Sequence, residues 1–243
     1  MIKKDEKIFL AGHKGMIGSA IYKKLKEKGY KKIITVEKRK LDLRNQNEVF
    51  DFIKSKKPKA TIIAAAKVGG IYSNNLYRAD FIFDNLSIQS NLIHGSFKND
   101  IKNLIFLGSS CIYPKFSKQP MKEKYFLTGK LEETNDAYAI AKISGIIMCN
   151  NYSNDYNLNY KCLMPPNMYG PNDNYNLKNS HFFGALIRKI YEAKLKNKRS
   201  IKLWGSGKVS REILFVDDLA DATFFFLNKK IKESFLNIGS GKD

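Results

Sequence analysis

The 243-residue sequence has no apolar run near the roughly 20 residues that a membrane-crossing helix requires. Its first seven residues are charged and lead straight into an apolar stretch, without the apolar region and small-residue cleavage site of a secretion signal. A cytoplasmic protein is expected. Cysteine is scarce. Cys111, Cys149 and Cys162 lie far apart and form no C-x-x-C pair, so neither a disulfide framework nor a zinc site is indicated, and no metal is expected. Cys149 and Cys162 read as buried filler. Acidic residues are also short, 23 against 43 lysines and arginines, for a formal net charge of +20. The lysines are scattered in pairs such as Lys23-Lys24, Lys31-Lys32, Lys56-Lys57 and Lys229-Lys230, at expected helix ends and loops. That is the pattern of a solvated face, not of a nucleic-acid stripe, and no nucleic-acid or membrane partner is expected. An anionic small substrate would suit the same charge. Internal repeats and low-complexity tails are absent.

What remains is ample for folding. At 43% hydrophobic and 12% aromatic the chain can bury a core, and its length suits one large domain or one domain with part of a second. Apolar runs at 8–11, 33–36, 61–64, 104–107 and 160–164 predict buried strands. Helical spacing marks 17–29, 49–53, 81–97 and 137–152 between them. Continuous apolar strands alternating with helices imply an α/β fold, a Rossmann-type doubly wound parallel sheet covered on both faces. After residue 165 the texture changes. Pro165-Pro166, Gly170-Pro171 and a run of asparagines predict a long functional loop. Helix and short-strand signals follow at 182–195, 201–203, 213–216 and 219–227, and a strand-like run at 235–238. The expected organisation is a cofactor domain over 1–165 and a smaller α/β portion over 166–243, with 211–227 returning to the first domain.

Gly12, Gly15 and Gly18 are spaced three apart, directly after a strand and opening a helix. Side chains there would block a pyrophosphate, and the helix N-terminus supplies free N–H groups and a positive dipole end. A dinucleotide site is expected. An acidic residue ending the second strand favours a free ribose 2′-hydroxyl, and a cation there accommodates a 2′-phosphate. The stretch reads Glu37-Lys38-Arg39-Lys40, and Lys14 lies in the glycine loop. Cations outweigh the carboxylate, which favours NADP over NAD; a solvated basic turn is the alternative. Asp42 reads as an adenine-side contact or as a helix start. His13 belongs to the geometry of the loop, and His94 to helix packing.

Tyr138 and Lys142 are four residues apart, hence on one face of a helix. An ammonium beside a phenol favours phenolate and lowers the phenol towards working pH, so that tyrosine can exchange a proton at a carbonyl or alcohol while hydride moves. Gly108-Ser109-Ser110-Cys111-Ile112-Tyr113-Pro114 follows the fourth strand, at the strand end where ligands bind in open parallel sheets. Ser109 can hydrogen-bond the same substrate oxygen.

These motifs have company. Ala64-Ala65-Ala66-Lys67-Val68-Gly69-Gly70-Ile71, the segment 106–114, Gln119-Pro120-Met121, Tyr138-Ala139-Ile140-Ala141-Lys142, Asn167-Met168-Tyr169-Gly170-Pro171 and Trp204-Gly205-Ser206-Gly207 together resemble the extended short-chain dehydrogenase/reductase family, in particular its nucleotide-sugar epimerase–reductases. The resemblance spans essentially the whole chain. Its Lys-Val-Gly-Gly and Ser-Ser-Cys-Ile-Tyr-Pro stretches are far more specific than the Tyr–Lys spacing. It implies an NADPH-dependent 3,5-epimerisation and 4-reduction of GDP-4-keto-6-deoxy-D-mannose, and a homodimer formed through the long helices of the cofactor domain. It implies that Ser109 and Tyr138 hold and protonate the C4 oxygen, that Lys142 binds the nicotinamide ribose and tunes Tyr138, and that Cys111 and His181 are base and acid at C3 and C5. The C4 ketone acidifies both neighbouring C–H bonds, and thiol and imidazole suit proton transfer there. The implied cofactor set is Gly12, His13, Lys14, Gly15, Met16, Ile17, Gly18, Lys38, Leu107, Gly108, Ser109, Ser110, Lys142, Pro165, Pro166, Asn167, Met168 and His181. Lys189, Trp204 and Arg211 fall where the family holds the nucleotide diphosphate of its substrate. Pro166 replaces a threonine and Lys189 stands where arginine is frequent. The family continues past the strand at 235–238 with another substrate-domain segment, so 166–243 is expected to be a partly missing substrate domain. Two other readings stay open: a related nucleotide-sugar epimerase or reductase, and a truncated, non-catalytic dinucleotide-binding protein.

Overall fold

The computed structural model describes residues 1–177, 179–203, 205–229, 231–233 and 235–241. Among them, six parallel strands form one sheet in the order β2 (Lys32–Ile34), β1 (Lys7–Ala11), β3 (Ala60–Ile63), β4 (Asn103–Leu107), β5 (Asn159–Met164) and β8 (Phe235–Asn237). The inner strands are buried along nearly their whole length, as unbroken apolar runs covered on both faces must be.

Alternation along each strand divides the core into two layers. Phe9, Ala11, Ile63, Phe106 and Cys162 pack with Val49 and Ile53 of α2 (Gln46–Lys56), Leu92 and Ile93 of α4 (Arg78–Lys98), and Ile143 and Ile146 of α5 (Asp136–Tyr156). Ile8, Leu10, Ile62, Ile105 and Leu163 pack on the other face with Ile21 and Leu25 of α1 (Met16–Glu27) and with Val216, Ala220 and Leu227 of α7 (Val216–Asn228). The chain passes from β1 outward to β2, then crosses to β3 on the far side of β1. That reversal opens a crevice at the carboxyl ends of β1 and β3, where the glycine loop and the Lys-Val-Gly-Gly stretch begin.

Two local expectations change, and one further element appears. A strand, β6 (Asn167–Tyr169), forms where a long loop was expected; it pairs in parallel with β7 (Ile213–Phe215), a partner too distant in sequence for local periodicity to report. Residues 201–203, expected as a short strand, have irregular backbone; the Lys189 ammonium of α6 (Phe182–Leu195) instead donates to the Lys202 carbonyl at 3.3 Å. A short helix, α3 (Ile71–Leu76), follows Gly70. Among the described residues no helix is long and apolar enough to cross a membrane.

Candidate active site

Gly12 leaves β1 with φ of +91°, and a Cβ there would fall 2.5 Å from the Ala65 amide nitrogen after β3. A Cβ on Gly18 would overlap the Gly12 carbonyl oxygen. Gly15 faces open space, its nearest neighbour the Gly12 carbonyl oxygen at 3.6 Å. The loop thus seats α1 directly on the crevice. Among the described residues, α1 begins with no side-chain cap and no acidic residue in its first turn, which leaves its N–H groups for an anion. His13 lies against Gly18; Met16 and Ile17 pack on the core layer beneath.

At the ribose end Glu37 sits between Lys14 and Arg39, each at 2.8 Å, and the Lys14 bond holds its carboxyl below the usual range. Lys38 is exposed. Asp42 is not the helix start. Asn45 caps α2, accepting the Glu48 N–H, while Asp42 is held by Arg44 at 2.6 Å, which lowers its carboxyl to about 2. Arg44 reaches on to Asp84 of α4 at 3.0 Å, and Lys67 binds Asp80 and Asp84, each at 3.0 Å.

Beyond β4 the chain stays zipped to β5. Gly108 donates to the Leu163 carbonyl at 2.9 Å and Ser110 to the Pro165 carbonyl at 3.1 Å. A Cβ on Gly108 would overlap the Met164 sulfur. Ser109 caps the 3₁₀ turn Ser110–Ile112, its hydroxyl accepting the Cys111 N–H at 3.4 Å. Tyr138 and Lys142 come up beside it, one turn apart on α5. α5 can lie this close because Gly145 has no side chain; a Cβ there would fall 2.6 Å from the Phe106 ring. Lys142 is buried, donates to the Leu107 carbonyl at 2.8 Å, and sits 4.7 Å over the Phe106 ring and 5.7 Å from the Tyr138 ring centre.

Burial sets the charges of this cluster. It pushes the Lys142 ammonium down to about 8, against the pull of Cys111 and Cys162. It pushes the Cys111 thiol up to about 11, while Ser109 and Lys142 draw it down. It also holds the Tyr138 phenol well above its ordinary value, with Cys111 adding to the rise. Burial thus raises Tyr138 where a lowering by Lys142 was expected. Desolvation of a phenolate outweighs an ammonium that is committed to the Leu107 carbonyl, and the Tyr138 hydroxyl makes no hydrogen bond among the described residues.

His181 occupies the position just before α6 and is exposed at one side. Desolvation by the protein around its inner side lowers its imidazole, and Asp173 pulls it up. The segment before it is fastened to the Lys-Val-Gly-Gly loop. Gly70 donates to the Asn179 carbonyl at 3.1 Å, Ser73 bonds the Asn179 side chain at 2.9 Å, and a Cβ on Gly70 would overlap the Ser180 carbonyl oxygen. Asn85 of α4 holds the Lys67 backbone through both its N–H and its carbonyl. Ser73, Asn179 and Asp173 were not singled out from the sequence; the only signal was their place within or beside stretches of family-like texture.

The structure gathers Ser109, Cys111, Tyr138 and Lys142 into one cluster at the carboxyl end of β4, on the same edge of the sheet as the glycine cradle with β3 between them. Asn167 donates to the Glu212 carbonyl at 3.3 Å, after Pro165-Pro166, and Met168 packs on the core. Lys189 lies further along α6, and Arg211 is exposed just ahead of β7. Trp204 lies outside the described residues.

The model of the NAD dependent epimerase/dehydratase family matches residues 8–239. The chain is similar to GDP-L-fucose synthase 1 of Arabidopsis thaliana, 49% identical over 243 residues, covering 100% of this chain and 75% of that protein. It is similar to the GDP-L-fucose synthase of Escherichia coli strain K12, 44% identical, covering 98% and 77%. Among solved structures it resembles a GDP-mannoheptose C4 reductase from Campylobacter jejuni with NADP bound, at a TM-score of 0.91 and 37% identity, covering 100% and 81%.

Proposed function

The chain belongs to the NAD dependent epimerase/dehydratase family, and from that premise we propose that it is the NADPH-dependent enzyme that epimerises GDP-4-keto-6-deoxy-D-mannose at C3 and C5 and reduces it at C4 to GDP-L-fucose. The observation that carries the reading is the Ser109–Cys111–Tyr138–Lys142 cluster at the end of β4, with Lys142 buried and the other three half-buried, on the same edge of the sheet as a glycine cradle with an uncapped helix N-terminus. The cradle fits a dinucleotide: Gly12 and Gly18 leave no room for side chains where the loop closes, and α1 has neither a side-chain cap nor a first-turn carboxylate to compete with the pyrophosphate.

Gly12, Gly15 and Gly18 with the first turn of α1 hold the pyrophosphate; Lys14 and Lys38 face the adenosine ribose. Leu107, Gly108, Ser110 and the 165–168 backbone line the nicotinamide end. When bound, the dinucleotide supplies hydride. Lys142 orients the nicotinamide ribose and places a positive charge below Tyr138. Ser109 and Tyr138 donate to the C4 oxygen. A phenol held high by burial stays protonated at neutral pH, which suits a proton donor. The polarised C4 ketone makes C3–H and C5–H acidic, and Cys111 and His181 move protons at those carbons. Ser109 and Lys142 both favour the Cys111 thiolate that takes the proton, against the burial that raises the thiol. Lys189, Arg211 and Trp204 serve the GDP moiety. The working form is a cytoplasmic homodimer joined through α4 and α5, a reading supported by exposed Phe83, Ile140 and Ile147 on those helices.

A second reading is C4 reduction without epimerisation, favoured by the likeness to the GDP-mannoheptose C4 reductase. Incubation with NADPH and GDP-4-keto-6-deoxy-D-mannose in D₂O separates the two. Nicotinamide oxidation with deuterium at C3 and C5 is expected. Oxidation without deuterium favours the second reading, and no oxidation with this substrate or with other GDP-4-keto sugars sinks both.

A further inference from the structure

The ribose end of the cradle carries two opposed signals. A carboxylate about 20 residues beyond the glycine loop accepts from a ribose 2′-hydroxyl, whereas a guanidinium there receives a 2′-phosphate. Glu37 and Arg39 supply both, and they are bonded to each other. One carboxylate oxygen of Glu37 takes the Lys14 ammonium at 2.8 Å; the other takes Nε of Arg39 at 2.8 Å. The carboxylate spans the two cations as two oxygens of a phosphate would. We propose that Glu37 is the specificity-determining residue of the cofactor site, an internal anion holding the 2′-phosphate position between Lys14 and Arg39, which leaves the chain able to bind NAD(H) as well as NADP(H).

The physical argument is one of competition. For NADP(H), Glu37 has to release two charge-assisted bonds and withdraw from a dianionic phosphate, which then takes over Lys14 and Arg39. For NAD(H), Glu37 keeps both cations and accepts the 2′-hydroxyl with a remaining lone pair. The cations that favour the phosphate are thus partly neutralised beforehand. The rearrangement is open to the chain, because the Lys14 and Arg39 side chains are 67% and 77% exposed and Glu37 31%. Exposed Lys38 and Lys40 keep the surroundings positive, and Lys40 adds to the lowering of the Glu37 carboxyl.

The inference rests on the dinucleotide reading alone, and its test needs no sugar. Isothermal titration of the intact chain with NADP⁺, NAD⁺, 2′,5′-ADP and 5′-ADP gives the ratio of affinities. NAD⁺ and NADP⁺ are expected within about tenfold of each other, and E37Q is expected to shift the ratio towards NADP⁺ by about tenfold or more. K14M and R39M should shift it the opposite way, with 2′,5′-ADP and 5′-ADP following the same order. An unchanged ratio in E37Q, or a native preference for NADP⁺ beyond about a hundredfold, would overturn the proposal. A shifted ratio in a protein that turns over no GDP-4-keto sugar would leave it standing while removing the sugar chemistry.

Discussion

Burial acts on Lys142 and Cys111 in opposite directions, and that contrast yields two tests. The Lys142 ammonium is lowered to about 8, so its charged form is present below that pH and is lost as pH rises through it. The kcat/KM for NADPH, which reports the free enzyme, should fall above about pH 8. In K142R the charge persists, and the fall should move up by more than about one pH unit even if the rate is lower. A profile flat to the alkaline end would remove Lys142 from the charged machinery. Cys111 is the reverse case, a thiol raised to about 11. C111S keeps the shape but replaces the thiol with a far weaker acid. Deuterium uptake at C3 and C5 should drop by about 10²-fold or more, with reduction of an already epimerised substrate largely retained. Equal loss of both activities would refute the division between Cys111 and Tyr138. The residue types were legible in the sequence, because Tyr138 and Lys142 declare a shared helix face. The direction of the Tyr138 shift was not, because it depends on desolvation by groups from other elements.

At the scale of elements, the notable device is the joint between the Lys-Val-Gly-Gly loop and the turn ahead of α6. Asn74 bonds the Gly69 and Gly70 carbonyls, Gly70 and Ser73 bond Asn179, and the next residues deliver His181. The sequence marked this stretch as unusual and could not say why. The reason is a backbone-to-backbone contact between segments about a hundred residues apart, which only Gly70 permits. Gly70→Ala would push its Cβ onto the Ser180 carbonyl and displace His181. Epimerisation should fall by about tenfold or more, since small misplacements of a proton-transfer group are costly. Dinucleotide affinity should fall much less, because the glycine cradle lies on β1 and α1 and only His181 of the implied cofactor set is moved. Measuring deuterium uptake beside NADP⁺ binding checks this; parallel loss of both would mean general unfolding and no specific joint.

For the whole molecule, the α4–α5 pair presents Phe83, Ile140 and Ile147 at 65%, 43% and 38% exposure, apolar surface on the two longest helices. Sedimentation should find a dimer, and F83D combined with I147D should convert it to monomer without loss of the folded cofactor domain. A native monomer at micromolar concentration would dismiss that interface. The net charge of +20 gives no such specific partner; lysines at helix C-termini such as Lys54, Lys56 and Lys98 complement the helix dipoles.

By itself the sequence determined the alternating parallel sheet, the cradle after β1, and the sharing of one helix face by Tyr138 and Lys142. Each follows from local periodicity or from the steric demands of a single turn. Tertiary structure alone decided the pairing of β6 with β7, the capping of α2 by Asn45 rather than Asp42, the fastening of Asn179, just ahead of His181, to Gly70, the clasp of Glu37 between Lys14 and Arg39, and the upward shift of Tyr138. These depend on which distant groups meet and on how much water they exclude, and neither leaves a periodic trace in the order of residues.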